Sequence, residues 1–299
     1  RGAREGAVMA PVVVVHGMFN FLRGATPPEA AALRALSWRQ RLAGSLALVS
    51  PGTRVPELEV AYYADLLRRE LPENAQSEER APDFDDLDEH EAFEVAQWLT
   101  AAGVEVPEDA MNLGMAPVRW MLGRLLEERG NRLTRRLREQ TSDRIQQAIV
   151  SNLREVEAYT TWPERRRLVR ERIADTIRRA APGIVIAHSL GTCTTYETLH
   201  ANPDIKVDLL LTLGSPLRVP ALTRRLDPAL RGGRGAKPAG VGRWVNIADV
   251  GDPVAVPPGL SAVFPVDQDE TCDNGFGFHG LGGYLANGLT AAAVAPYLA

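Results

Sequence analysis

Ser189 stands where a sequence can turn a hydroxyl into a nucleophile. Gly183-Ile184-Val185-Ile186-Ala187 predicts a short buried strand over 184–186, and Leu190-Gly191 opens a helix, so Ser189 falls on the sharp turn between the two. A tight strand–turn–helix of this kind holds a serine Oγ clear of the sheet. It also aims the first free N–H groups of the helix, that of Leu190 foremost, at an oxyanion forming there. The competing reading is a serine that merely caps the helix N-terminus.

A serine is a weak nucleophile near neutral pH unless a base takes its proton, and the base needs a carboxylate to fix its tautomer. The chain has five histidines. His16 ends an apolar run, His90 lies in an acidic segment, His188 adjoins the serine and His200 closes the helix after it. His279 sits in a glycine-rich loop before the last predicted helix. Two carboxylates compete for the acid's place after the strand predicted over 244–247. Pro253 confines Asp252 to an extended conformation, whereas Asp249 reads as a turn former that bonds its own loop. Asp252 is preferred.

The elements around these residues alternate. Val12–Val15 is four β-branched residues in a row, which suits a parallel strand covered on both faces. Further strands are predicted over 58–63, 208–213, 244–247 and 263–266. Helices are predicted over 28–48 (Ala32, Leu36, Leu42 and Leu46 apolar), from Pro163 with Leu168, Ile173 and Ile177 inward, and over 281–298. Gly232 to Gly242 reads as a mobile loop. Strand signals vanish from 68 to 162, where an amphipathic helix over 142–159 carries Ile145, Ile149, Leu153 and Val156. The expected class is α/β, a mostly parallel sheet flanked by helices. The expected division is 1–67 as the first part of the core, 68–162 as a helical insertion and 163–299 as the rest of the core.

The 299 residues carry a formal net charge of −4, which gives no support to a nucleic-acid partner. No apolar run is long enough to cross a bilayer. Cys193 and Cys272 lie in no metal or redox spacing, and such sparse cysteine suggests a reducing compartment and a cytoplasmic location.

Taken together, Val12-Val13-Val14-Val15-His16-Gly17, Ala187-His188-Ser189-Leu190-Gly191, Gly214-Ser215-Pro216, Asp252-Pro253-Val254 and His279 resemble the α/β-hydrolase superfamily, in its lipase- and esterase-like branches. The resemblance covers about two thirds of the chain and omits the insertion. It departs in Ala187, where the family has glycine, and in lacking the family's first two antiparallel strands. The family's chain order of Ser, Asp, His implies Ser189 as nucleophile, Asp252 as orienting acid and His279 as base. It also implies an oxyanion hole from the N–H groups of Met18 and Leu190, with His16 holding the first loop and no cofactor. Insertions at this point in the family are often caps, and Met111, Met115, Trp120, Met121 and Leu122 would line one or simply fasten it to the sheet.

The expected activity is therefore hydrolysis of a carboxylic ester or thioester, on a small-molecule or lipid-like acyl substrate. Acyl transfer, cyclisation or peptide cleavage would use the same three residues. From another class, the fold could serve as a binding module with a vestigial triad.

Overall fold

The computed structural model describes residues 11–17, 20–67, 87–101, 135–274 and 279–298. Its strands are β1 (Val12–Val15), β2 (Leu58–Ala61), β3 (Ile184–His188), β4 (Val207–Leu213), β5 (Val241–Asp249) and β6 (Gln268–Cys272). They form one sheet in the order β2-β1-β3-β4-β5-β6, and every pairing is parallel. The helices are α1 (Pro27–Val49), α2 (Glu89–Ala101), α3 (Arg135–Thr161), α4 (Pro163–Ala180), α5 (Leu190–Ala201), α6 (Pro220–Thr223), α7 (Leu281–Ala286) and α8 (Gly288–Val294).

Successive residues of a strand point to opposite faces, and here both faces are covered. Val12, Val14, Ile184, Ile186, Leu209 and Leu211 pack with Trp38, Leu42 and Leu46 of α1 and with Leu281, Leu285 and Ala291 of α7 and α8. Val13, Val15, Val185, Ala187 and Leu210 pack on the other side with Val169, Ile173 and Ile177 of α4 and Leu190, Cys193 and Tyr196 of α5. This double burial is why the central strands carry no polar alternation. A third cluster lies off the sheet, where Val95, Trp98 and Leu99 of α2 and Ile149, Val150 and Leu153 of α3 meet Val254 and Val256.

Within 68–162 the structure describes helices α2 and α3, and Ile149, Leu153 and Val156 of α3 are buried. Met111, Met115, Trp120, Met121 and Leu122 lie outside the described residues.

Four sequence expectations need correction. No strand forms over 263–266, where Pro265 removes a ladder donor. The strand is β6 instead, whose sequence Gln-Asp-Glu-Thr-Cys is polar because it is an edge strand with no buried side among its exposures. The last helix breaks at Asn287, whose side chain accepts from the Leu289 N–H at 2.9 Å and starts α8 anew. On α1, Ala32 and Leu36 face solvent, and Trp38 replaces them on the buried side. The segment 232–242 is tied down rather than loose, with Arg231 and Arg234 bridged to each other and the Gly235 N–H bonded to the Val263 carbonyl at 3.0 Å.

Candidate active site

The sheet order reverses between β1 and β3, because β2 lies beyond β1 on one side while the chain continues outward from β3 on the other. In open parallel sheets the crevice at the carboxyl ends of such a pair is where ligands bind. Gly17 follows β1 and Ser189 follows β3, so both face that crevice.

Ser189 adopts φ 55° and ψ −132°. Positive φ costs a residue with a Cβ on the order of 1–3 kcal/mol and persists only where the surroundings enforce it. Here the Ser189 N–H is bonded to the Leu213 carbonyl at 3.0 Å, and Thr192 Oγ1 donates to the Ser189 carbonyl at 2.8 Å. Although Ser189 precedes α5, its side chain makes no capping bond. Its hydroxyl lies 2.7 Å from His279 Nε2 instead.

His279 Nδ1 lies 2.8 Å from Asp252 Oδ2 and 2.9 Å from Oδ1. A carboxylate can only accept, so Nδ1 carries the proton and Nε2 presents its lone pair to the serine hydroxyl. Asp252 is fixed on its remaining sides, since Oδ1 accepts from the N–H groups of Val254 (2.8 Å) and Ala255 (3.3 Å) and Oδ2 accepts from the Tyr284 hydroxyl (2.7 Å). Ser189 and Asp252 are 0% and 1% exposed, and the His279 side chain keeps 13%.

Asp249 goes elsewhere. It accepts from the main-chain N–H groups of Gly251 and Asn274, the turn-forming role its position suggested. Burial, with those two bonds opposing it, holds its carboxyl above the ordinary value.

Glycines set the close approaches. A Cβ on Gly17 would stand 2.3 Å from Ser189 Cβ, so the loop after β1 lies directly against the serine. A Cβ on Gly191 would strike the carbonyl oxygens of His16 and Val15 at 2.5 and 2.6 Å. Gly214 combines φ +55° with a Cβ position 2.8 Å from Asp252 Oδ2. Ser215 shares a hydrogen bond with Thr192 at 2.7 Å and so joins the loop after β4 to the first turn of α5.

His16 braces the first loop. Its Nδ1–H donates to the Gly17 carbonyl at 2.7 Å, its Nε2 accepts from the Tyr63 N–H at 3.0 Å, and the Tyr63 hydroxyl donates to its own carbonyl at 2.6 Å. Burial lowers its pKa to about 4, so it stays neutral and keeps this tautomer.

Of the residues singled out in the sequence, Ser189, Asp252 and His279 form one hydrogen-bonded chain. Leu190 begins α5, where the first amides of a helix lack an intrahelical partner. Met18 lies outside the described residues. Two neighbours were not anticipated. Tyr284 joins Asp252 to the Asp249 N–H, which donates to the tyrosine oxygen at 2.9 Å, and only the fold brings α7 there. His188 donates from Nε2 to the His279 carbonyl at 2.7 Å, and burial keeps its pKa well below the ordinary value.

Among the described residues, no group of three His, Cys, Asp or Glu side chains is arranged to hold a metal ion, and no helix is long and apolar enough to cross a membrane. No family model, curated protein or solved structure matches this chain.

Proposed function

We propose that the protein is a serine hydrolase of the α/β-hydrolase type that cleaves a carboxylic ester or thioester. One observation carries this reading: Ser189 Oγ, His279 and Asp252 are linked by hydrogen bonds of 2.7 and 2.8 Å on a strained turn at the switch point of a parallel sheet. A structural serine would have no need of positive φ, nor would a structural histidine need a fully held carboxylate behind it.

In this mechanism Ser189 Oγ attacks the substrate carbonyl carbon while His279 Nε2 takes the hydroxyl proton. Asp252 steadies the imidazolium that forms. The tetrahedral oxyanion is received by the Leu190 N–H at the start of α5, and the second donor is expected from the loop that begins at Gly17, for which the sequence offers Met18. His279 returns its proton to the leaving alcohol or thiol, leaving an acyl-enzyme. Water, deprotonated by the same histidine, then releases the acid and restores the serine. The helices of 68–162 are read as a cap over the crevice.

A second reading has the same acyl-enzyme pass its acyl group to an alcohol or amine in place of water. Turnover of a panel of esters and thioesters of graded chain length, with and without added acceptor alcohols or amines, decides between the two. Hydrolysis or transfer product that vanishes in Ser189→Ala supports the proposal. A folded wild type inert to the whole panel counts against it.

A further inference from the structure

Helix α2 belongs to neither of the two layers that cover the sheet, yet it reaches the loop that carries the acid. Trp98, 1% exposed, donates its indole Nε1–H to the Pro253 carbonyl at 2.8 Å. The N–H of that same peptide unit, on Val254, donates to Asp252 Oδ1 at 2.8 Å. One peptide plane is therefore fixed at its oxygen by the insertion and at its nitrogen by the carboxylate that faces His279.

The rest of the loop is held from the same side. Val254 and Val256, both buried, pack with Val95, Leu99, Ile149 and Leu153 rather than on either face of the sheet. Helix α2 is in turn anchored by Glu94, whose carboxylate receives Arg224 at 2.9 Å. If the Pro253–Val254 peptide rotated, Val254 N–H would leave Asp252 and free the carboxylate to swing from His279. A buried carbonyl without a donor is costly, so the Trp98 bond opposes that rotation.

We infer that Trp98 is a positioning residue for Asp252, so that the insertion is a working part of the triad as well as a cover over it. This rests on the hydrolase reading of the site. Substrate contacts made by the insertion would then reach Asp252 through a single peptide group.

The test is Trp98→Phe, which keeps an aromatic ring and removes the donor, beside Leu99→Ala, which opens a cavity in the same cluster and leaves the bond intact. Two quantities are read: the saturating rate of Ser189 labelling by a small fluorophosphonate, and the low-field proton resonance of His279 Nδ1–H, assigned by its loss in His279→Gln. Trp98→Phe is expected to lower the saturating rate about tenfold, to leave the half-saturating probe concentration unchanged, and to shift or broaden away the resonance. Leu99→Ala is expected to lower the melting temperature while keeping both the rate and the resonance.

A Trp98→Phe protein with the wild-type rate and resonance overturns the inference, and so does a Leu99→Ala protein that loses both equally. Should Trp98→Phe not fold, Arg224→Met removes the cation paired with the buried Glu94 midway along α2 and should lower the rate by about two- to threefold; no change there has the same overturning force. A wild type that does not label, with a resonance that still responds to Trp98→Phe, refutes the hydrolase reading and keeps the positioning role.

Discussion

His188 Nε2 donates to the main-chain oxygen of His279 at 2.7 Å, so the residue before the serine holds the backbone of the histidine that faces the serine. The two rings lie 4.8 Å apart between centroids. His188 Nδ1 is buried without a hydrogen-bond partner among the described residues, and its lowered pKa keeps the ring a neutral, single donor. Replacing His188 with Phe removes that donor and should slow Ser189 labelling about tenfold, whereas His188→Gln, which can still donate, should recover part of the loss. Labelling kinetics of the two variants side by side check this, and equal rates in both would contradict it.

Tyr284→Phe tests the other support. The hydroxyl donates to Asp252 Oδ2 and accepts from the Asp249 N–H, so its removal orphans a buried amide. A loss of about 1–3 kcal/mol in stability is expected, measured by urea unfolding, together with a smaller fall in labelling because three donors to Asp252 remain.

Gly17→Ala puts a methyl group where Ser189 Cβ already stands, 2.3 Å away. The loop or the serine must shift, and labelling should fall by about 100-fold or more, even in variants that stay folded by circular dichroism. A normal rate would mean that the loop after β1 does not set the serine's position.

Acid should weaken the fold through its buried histidines. His16 is lowered by burial from 6.5 to about 4, so between those values the unfolded chain binds a proton that the folded one refuses. Stability is then full above about pH 6.5 and is lost as the pH falls toward 4, by roughly 3 kcal/mol for this residue. His188, lowered in the same direction, adds to it, while the raised carboxyl of Asp249 works the opposite way. Urea midpoints at pH 7 and pH 4.5 measure the net effect, which should be a clear drop. His16→Asn should flatten the pH dependence although it destabilises the protein at pH 7.

The central strands were legible because parallel strands buried on both faces must be apolar throughout, as Val12–Val15 and Ile184 to Ile186 are. The turn at Ser189 was legible for a related reason: a small residue, a serine and a glycine are needed where β3 turns into α5 against the carbonyls of Val15 and His16. Edge strand β6 was missed because its residues are at most partly buried and so show no apolar pattern, and the exposed Ala32 and Leu36 show that apolar type alone does not choose the inward side of α1. Asn287-Gly288 did carry a visible helix-start signal that a single long helix overlooked. The tasks of Tyr284, His188 and Trp98 had no local signature at all. Each depends on a contact with a residue 32, 91 or 155 positions away.

The most direct test of the account is reaction with fluorophosphonate probes, one small and one long-chained, followed by peptide mapping, on the wild type, Ser189→Ala, Asp252→Asn and His279→Ala. A single modified residue, Ser189, is expected, with no labelling in Ser189→Ala and rates lowered by roughly 10³-fold or more in Asp252→Asn and His279→Ala. A folded wild type that neither probe modifies, or labelling of Ser189 that persists unchanged without His279, would contradict it.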